Sequence, residues 1–224
     1  MREGCDPPRR FRLIVFDWDG TLVDSTELIA VSLREACRDI GAAVPDLSTA
    51  RHVIGLGLDD ALRVAAPSVP RGRYPELTAR YRHHFVSRDA EVPLFPGIRA
   101  MLQELDDRGF LLAIATGKSR RGLARALEQQ GVGGHFAATR CADEGFAKPH
   151  PGMLEHLFSQ TGVGPDESLM VGDTSHDLEL ARNAGTPAVA VSYGAHPREG
   201  LARHTCLAMV DSPQALRRWL AANA

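Results

Sequence analysis

At 224 residues the chain is long enough to bury a sizeable core, as one domain or as a medium domain with a smaller insertion. Hydrophobic residues at 44%, charged at 24% and aromatic at 6% exclude a disordered chain and a coiled coil. A formal net charge of -2 gives no global pull toward nucleic acid or an anionic membrane, so an anionic ligand must be met by local charge.

Other features narrow the class further. Cys5, Cys37, Cys141 and Cys206 are scattered, without a Cys-x-x-Cys pair or zinc-type spacing, so reduced thiols are expected. No apolar stretch nears the ~20 residues that span a bilayer, and residues 1–12 lack the apolar core of a signal peptide. The expectation is a cytoplasmic protein with no membrane or nucleic-acid partner, because the arginines form no basic stripe. Of 26 cationic residues only Lys118 and Lys148 are lysine.

In chain order, the apolar run Arg12 to Asp17 reads as a strand covered on both faces and ends in Phe16-Asp17-Trp18-Asp19-Gly20-Thr21. From about Ser25 to Ala90 the pattern turns helical, over Leu28 to Ile40, Leu58 to Ala66 and Tyr74 to Arg88, with no convincing buried strand. Turn-forming Pro93, Pro96 and Gly97 bound this insertion. The expected division is a discontinuous core of residues 1–23 and 91–224 and a helical unit of residues 24–90. Helical periods then run into Gly109, Gly131, Gly162 and Gly185, each a plausible C-terminal cap. They alternate with apolar runs at Leu111 to Thr116, Ser168 to Asp173 and Pro187 to Ser192. That alternation predicts an α/β fold, a Rossmann-like and mostly parallel sheet with helices on both faces. Ligands of such sheets gather beyond the carboxyl ends of the strands.

Four polar clusters fall at such ends. Asp17 and Asp19 pair a carboxylate that can attack phosphorus with one that can shuttle protons. Asp19-Gly20 is equally a hairpin signal, but a hairpin leaves Asp17 unpaired on an apolar strand. Thr116-Gly117-Lys118 offers a hydroxyl and glycine-flanked amides to a phosphate; the competing roles are a helix N-cap for Thr116 and a surface charge for Lys118. In Lys148-Pro149-His150-Pro151 the prolines restrict the backbone and set the lysine at the start of a helix running to Thr161, where an ammonium can neutralise a nucleophile and a phosphoryl oxygen together. In Gly172-Asp173-Thr174-Ser175-His176-Asp177, hard carboxylate oxygens suit Mg²⁺, with Asp177 one turn behind Asp173. Both aspartates would also be favoured at a helix start by the macrodipole.

Taken together, these clusters resemble in order and spacing the four motifs of the haloacid dehalogenase superfamily. The resemblance covers about Leu13 to Ser192, and the helical insertion resembles the small α-helical cap of phosphoglycolate phosphatase and its relatives. Trp18 departs from the pattern as a bulky residue between the aspartates, a matter of packing. The resemblance implies a Mg²⁺-dependent phosphate monoester hydrolase acting on a small phosphorylated metabolite. Asp17 would be the nucleophile and Asp19 the general acid/base, with Thr116 and Lys148 holding the phosphoryl group and Gly20 and Gly117 beside it. Asp17, the Asp19 carbonyl and Asp173 would bind the metal, with Asp177 supporting.

Residues also weigh the superfamily's other chemistries. Asp19 argues against dehalogenation, and the absence of lysine between Ser25 and Ala90 excludes phosphonatase-type imine formation. A sugar phosphomutase resembling β-phosphoglucomutase and a non-catalytic phosphoacceptor stay as alternatives, the second disfavoured by Asp19. The loop His52 to Leu58, with Arg51 beside it, is expected to meet an anionic leaving group. Arg63, Arg80 and Arg82 are expected on solvated helix faces, as are His83 and His84, and no chemistry is assigned to any histidine. The oligomeric state, monomer or homodimer, is left open.

Overall fold

The computed structural model describes residues 10–224, so Cys5 lies outside the described residues. Six strands make one all-parallel sheet: β1 (Leu13–Phe16), β2 (Leu111–Thr116), β3 (Phe136–Cys141), β4 (Ser168–Gly172), β5 (Ala188–Val191) and β6 (Ala208–Val210). Their order is β3-β2-β1-β4-β5-β6. The four apolar runs became strands within a residue or two of their expected limits. β3 and β6 were not anticipated, for physical reasons: β3 is an edge strand whose only fully buried residue is Cys141, and β6 is three half-buried residues at the other edge.

Successive side chains of β1 point to opposite faces, and each face is covered. Ile14 and Phe16 pack with Ile98, Met101, Leu102 and Leu105 of α5 (Ile98–Asp107), Leu123 of α6 (Arg120–Gln130) and Leu216 and Leu220 of α10 (Pro213–Asn223). Leu13 and Val15 pack with Met153, Leu154 and Leu157 of α7 (Gly152–Thr161), Leu178 and Leu180 of α8 (Ser175–Asn183) and Leu201 of α9 (Arg198–Leu201). Trp18 is fully buried in the first of these clusters.

The segment between β1 and α5 is helical, as expected: α1 (Thr26–Asp39), α2 (Leu47–His52), α3 (Leu58–Ala65) and α4 (Tyr74–Val86). It has a buried cluster of its own, with Leu33, Ala36 and Cys37 of α1 against Ala50, Leu62, Ala65 and Leu77. Burying each such leucine contributes about 1.5–3 kcal/mol, so Leu77→Asp would undo the packing of α1 on α4. The chain leaves and re-enters the sheet region side by side: Val23 bridges Leu94 antiparallel, and the Asp24 amide donates to the Pro93 carbonyl at 3.1 Å. Asp19-Gly20 makes no hairpin between two strands; Gly20 takes a φ of +82° in a turn whose amide donates to the Val23 carbonyl. No helix among the described residues is long and apolar enough to cross a membrane.

This topology positions the site. Strand order runs outward through β2 and β3 on one side of β1 and through β4, β5 and β6 on the other, which opens a crevice where the direction reverses. Phe16 is level with Ile114 on β2 and Val171 on β4, so Asp17, Thr116 and Asp173 emerge together at the carboxyl edge.

Candidate active site at the carboxyl edge of the sheet

Asp17 is 1% exposed and follows directly from the doubly covered β1. Its Oδ1 lies 2.7 Å from Lys148 Nζ, and the same ammonium lies 2.7 Å from Asp177 Oδ1. Lys148 is therefore buried, with two carboxylate partners, which rules out a surface charge. It also stands four residues ahead of α7, which begins at Gly152, rather than at the helix start expected for it. Burial pulls the Lys148 pKa down, and Asp17 and Asp177 more than reverse this, leaving it above its ordinary value. Burial raises Asp17 well above the carboxylate range, with Lys148 opposing and Asp177 and Asp173 adding to the rise.

Asp173 is fully buried at the end of β4. Thr21 Oγ1 donates to its Oδ1 at 2.8 Å and the Ala195 amide to its Oδ2 at 2.7 Å. Burial first, then Asp177, pushes its pKa up to about 7. Two glycines admit this carboxylate: a Cβ on Gly20 or on Gly194 would collide with Asp173 Oδ2. Asp177 takes the helix-start role weighed for it and adds another, a contact with Lys148. It caps α8, its Oδ2 accepting from the Thr174 amide at 3.0 Å and the Thr174 hydroxyl at 2.7 Å, and its Oδ1 accepts from Lys148 at 2.7 Å.

Carboxylate oxygens of Asp17, Asp173 and Asp177 all lie within 4.8 Å of one another. Neither oxygen of Asp17 has an aligned hydrogen-bond donor although both are buried. Buried, under-satisfied carboxylate oxygens converging on one point are the donor set of a hard cation, so the residues fit a divalent metal. Asp173 and Asp177 each accept hydrogen bonds on both oxygens and Asp17 Oδ1 faces Lys148, so Asp17 Oδ2 is the carboxylate oxygen of the three with no protein partner.

Thr116 is fully buried, and its hydroxyl accepts from the Lys118 amide at 3.2 Å. It does not cap the next helix; Ser119 does, accepting from the Gly122 amide. Asp19 Oδ1 accepts from Ser25 Oγ at 2.7 Å and sits 3.1 Å from Lys118 Nζ. The Lys118 ammonium in turn lies 4.6 Å from the ring centroid of Phe85 in α4, a cation–π contact between helical segment and sheet. Lys118 is thus a site residue whose part sequence reasoning left open, and Ser25 and Thr21 are partners it missed. Arg51 reaches no part of this constellation: it pairs with Glu27 at 2.7 Å, both side chains largely exposed, so meeting a leaving group requires breaking that pair.

The histidines divide. His83 is exposed, and the half-buried His84 pairs with Asp39 at 2.8 Å, whereas His176 and His196 are buried beside the fourth cluster. Burial pushes His196 down to about 4, so its ring is neutral at physiological pH.

Comparison with known proteins agrees with the geometry. The pattern described as haloacid dehalogenase-like hydrolase matches residues 14–191. The chain is 31% identical over 204 residues to the phosphoglycolate phosphatase of Vibrio cholerae, covering 87% of this chain and 90% of that one. It is 33% identical over 195 residues to the tyrosine-protein kinase PtkA of Mycobacterium tuberculosis, covering 86% of this chain and 66% of that one. The crystal structure of a "predicted phosphatase" from Clostridium acetobutylicum superposes with a TM-score of 0.84 at 25% identity, over 95% of this chain and 99% of that one. With the motif residues converging where the sheet reverses, the chain belongs to the haloacid dehalogenase-like hydrolase family and is an enzyme of its phosphatase-like kind.

Proposed function

We propose that the protein is a cytoplasmic, Mg²⁺-dependent hydrolase of a small phosphate monoester, working through an aspartyl phosphate on Asp17. The observation that carries this reading is the state of Asp17: buried, without an aligned donor on either oxygen, and held between Lys148 and the carboxylates of Asp173 and Asp177. A carboxylate confined in this way is aimed and undersolvated, as a nucleophile toward phosphorus should be.

Mg²⁺ bound by Asp17, the Asp19 carbonyl and Asp173 would supply charge neutralisation toward the phosphoryl oxygens. The chain's own groups do the rest. Lys148 offsets the charge of Asp17 and the incoming phosphoryl group, and Asp177 holds that ammonium from behind. The Thr116 hydroxyl and the amides around Gly20 and Gly117 orient the phosphoryl oxygens. Asp17 Oδ attacks phosphorus, the ester P–O bond breaks, and Asp19 gives its proton to the departing alkoxide. Asp19 then takes a proton from water as it attacks the aspartyl phosphate, releasing inorganic phosphate and restoring Asp17.

Similarity to a phosphoglycolate phosphatase makes short phosphorylated acids the first compounds to try. The test is phosphate release from a panel of C2 to C6 phosphorylated acids, sugars and nucleotides, with and without Mg²⁺. Turnover that depends on Mg²⁺ and on Asp17 supports the reading. Turnover of Asp17→Asn at the parent rate overturns it, and a long-lived phosphoenzyme with no turnover would favour a regulator.

A further inference from the structure

Three histidines meet where the helical segment touches the sheet. His52 ends α2, His176 lies in the first turn of α8, and His196 follows β5. The Nε2 atoms of His176 and His196 lie 2.9 and 3.0 Å from one acceptor, the backbone carbonyl of His52. The Ser175 amide donates to Nδ1 of His196 at 3.0 Å, which leaves the proton of that ring on Nε2 and makes it a donor to His52. The His52 ring stacks on His196 at 5.0 Å.

The loop that follows, residues 53–57, is wedged among core loops. A Cβ on Gly117 would collide with the Leu56 carbonyl and come within 2.7 Å of that of Gly55. Gly55 faces Thr174, where a Cβ would stand 3.1 Å from the hydroxyl, and a Cβ on Gly57 would stand 3.3 Å from Ala142. The loop therefore crosses the ends of β2, β3 and β4 and covers the Thr116–Gly117 side of the site. Its upstream end is hydrogen-bonded to the core through the carbonyl that the two imidazoles share, while Val53 is buried in the helical segment's own cluster.

We propose that His176 and His196 are positioning residues, a two-donor latch that holds loop 53–57 down over the carboxyl edge and so sets the headroom for the leaving group. A substrate that binds only beneath the seated loop is bound in proportion to the seated fraction. Weakening the latch then raises KM and spares kcat, because the saturated enzyme has its loop down.

The test has two arms on the full-length protein. In the first, amide hydrogen exchange of residues 53–57 is followed in His176→Phe, His196→Phe and the double variant, each keeping ring bulk but losing the donor; His196→Phe also loses the acceptor of the Ser175 amide. Exchange is expected to quicken about fivefold for each lost hydrogen bond. His176→Gln, whose side-chain amide reaches the Nε2 position, should return it to the parent rate. As a control against general loosening, exchange in β1 (Leu13–Phe16) should stay at the parent rate in every variant. Unchanged exchange in the double variant, or His176→Gln exchanging as fast as His176→Phe, overturns the latch.

The second arm rests on the proposed phosphatase reading: KM for a small phosphate ester rises as the seated fraction falls, by at most the factor seen in exchange and most in the double variant, while kcat stays within about twofold. If exchange responds and no ester is turned over, the latch stands and the phosphatase reading falls. If KM is unchanged in a double variant whose residues 53–57 exchange as fast as unprotected amides, the loop does not set headroom and that half of the proposal is overturned.

Discussion

Lys148 Nζ lies 2.7 Å from Asp17 Oδ1, a contact ion pair in which neither side chain reaches solvent. Asp177 completes the ammonium's coordination at 2.7 Å, and together with Asp173 three buried carboxylates surround one buried cation. Such a group depends on its counter-charge far more than an exposed pair does.

Lys148→Met accordingly removes the only cation within this set. Stranding buried charge of this kind costs about 3–5 kcal/mol. Asp173, pushed up to about 7, takes up a proton on mild acidification, so the deficit should shrink. Urea unfolding at pH 7.5 and 5.5 measures this: a large loss at the higher pH, a smaller one at the lower. Equal stability of variant and parent at pH 7.5 would mean that Lys148 does not compensate the carboxylates.

Asp17→Asn should separate catalysis from stability. Burial and two like charges oppose ionisation of Asp17, so a neutral isostere relieves the metal-free fold, while Lys148 keeps Asp177 as its partner. The melting temperature of the metal-free variant should equal or exceed that of the parent. Turnover should fall by at least about 10³-fold, the usual scale for losing a nucleophile. A variant that loses both would make Asp17 a structural residue.

The parts of this arrangement that could be read in the sequence are those whose meaning is local. β1, β2, β4 and β5 announce themselves because strands covered on both faces need unbroken apolar runs, and the polar clusters stand out because they interrupt those runs. The burial of Lys148 is not local: it follows from Asp17 and Asp177, 131 and 29 residues away in sequence, closing around it. Ser119 rather than Thr116 caps α6 because β2 continues through Thr116, which pairs with Cys141 on the unforeseen β3. The histidine cluster is not legible in the sequence because His52, His176 and His196 come together only when the end of α2, the start of α8 and the loop after β5 meet.

Metal binding should depend on pH through Asp173. A carboxyl raised to about 7 in the fold from 3.8 binds protons more tightly folded than unfolded. Its contribution to metal-free stability is therefore present at low pH and falls as pH rises from about 4 through about 7. A divalent cation binds the deprotonated form and reverses that loss. Added Mg²⁺ should raise the melting temperature more at pH 8 than at pH 5, and chelation should lower it back. A larger increment at pH 5 would contradict this linkage.

Gly194→Ala tests the fit around Asp173 by shape alone. The new methyl would collide with Asp173 Oδ2, the oxygen held by the Ala195 amide. The expected cost is about 1–3 kcal/mol, with the carboxylate forced from its place. Mg²⁺ affinity measured by calorimetry should weaken, while Gly131→Ala, beside which no atom lies within 4 Å, should leave that affinity unchanged and affect stability only.

Ser25 gives the sharpest probe of Asp19. Its hydroxyl donates to Asp19 Oδ1 at 2.7 Å, and Lys118 approaches the same oxygen at 3.1 Å. With Oδ1 so engaged, the proton Asp19 exchanges with leaving group or water belongs on Oδ2, and the two neighbours fix where Oδ2 points. Ser25→Ala removes a hydrogen bond to a charged group, worth about 1.5–3 kcal/mol, without touching the phosphoryl-binding side of the crevice. Its effect should fall on kcat, by about tenfold or more, with KM nearly unchanged. The deficit should be larger for esters with poor leaving groups than for an aryl phosphate, whose departing phenolate needs less help from an acid. Equal deficits across that series would show that Ser25 stabilises the fold around Asp19 without aiming its proton.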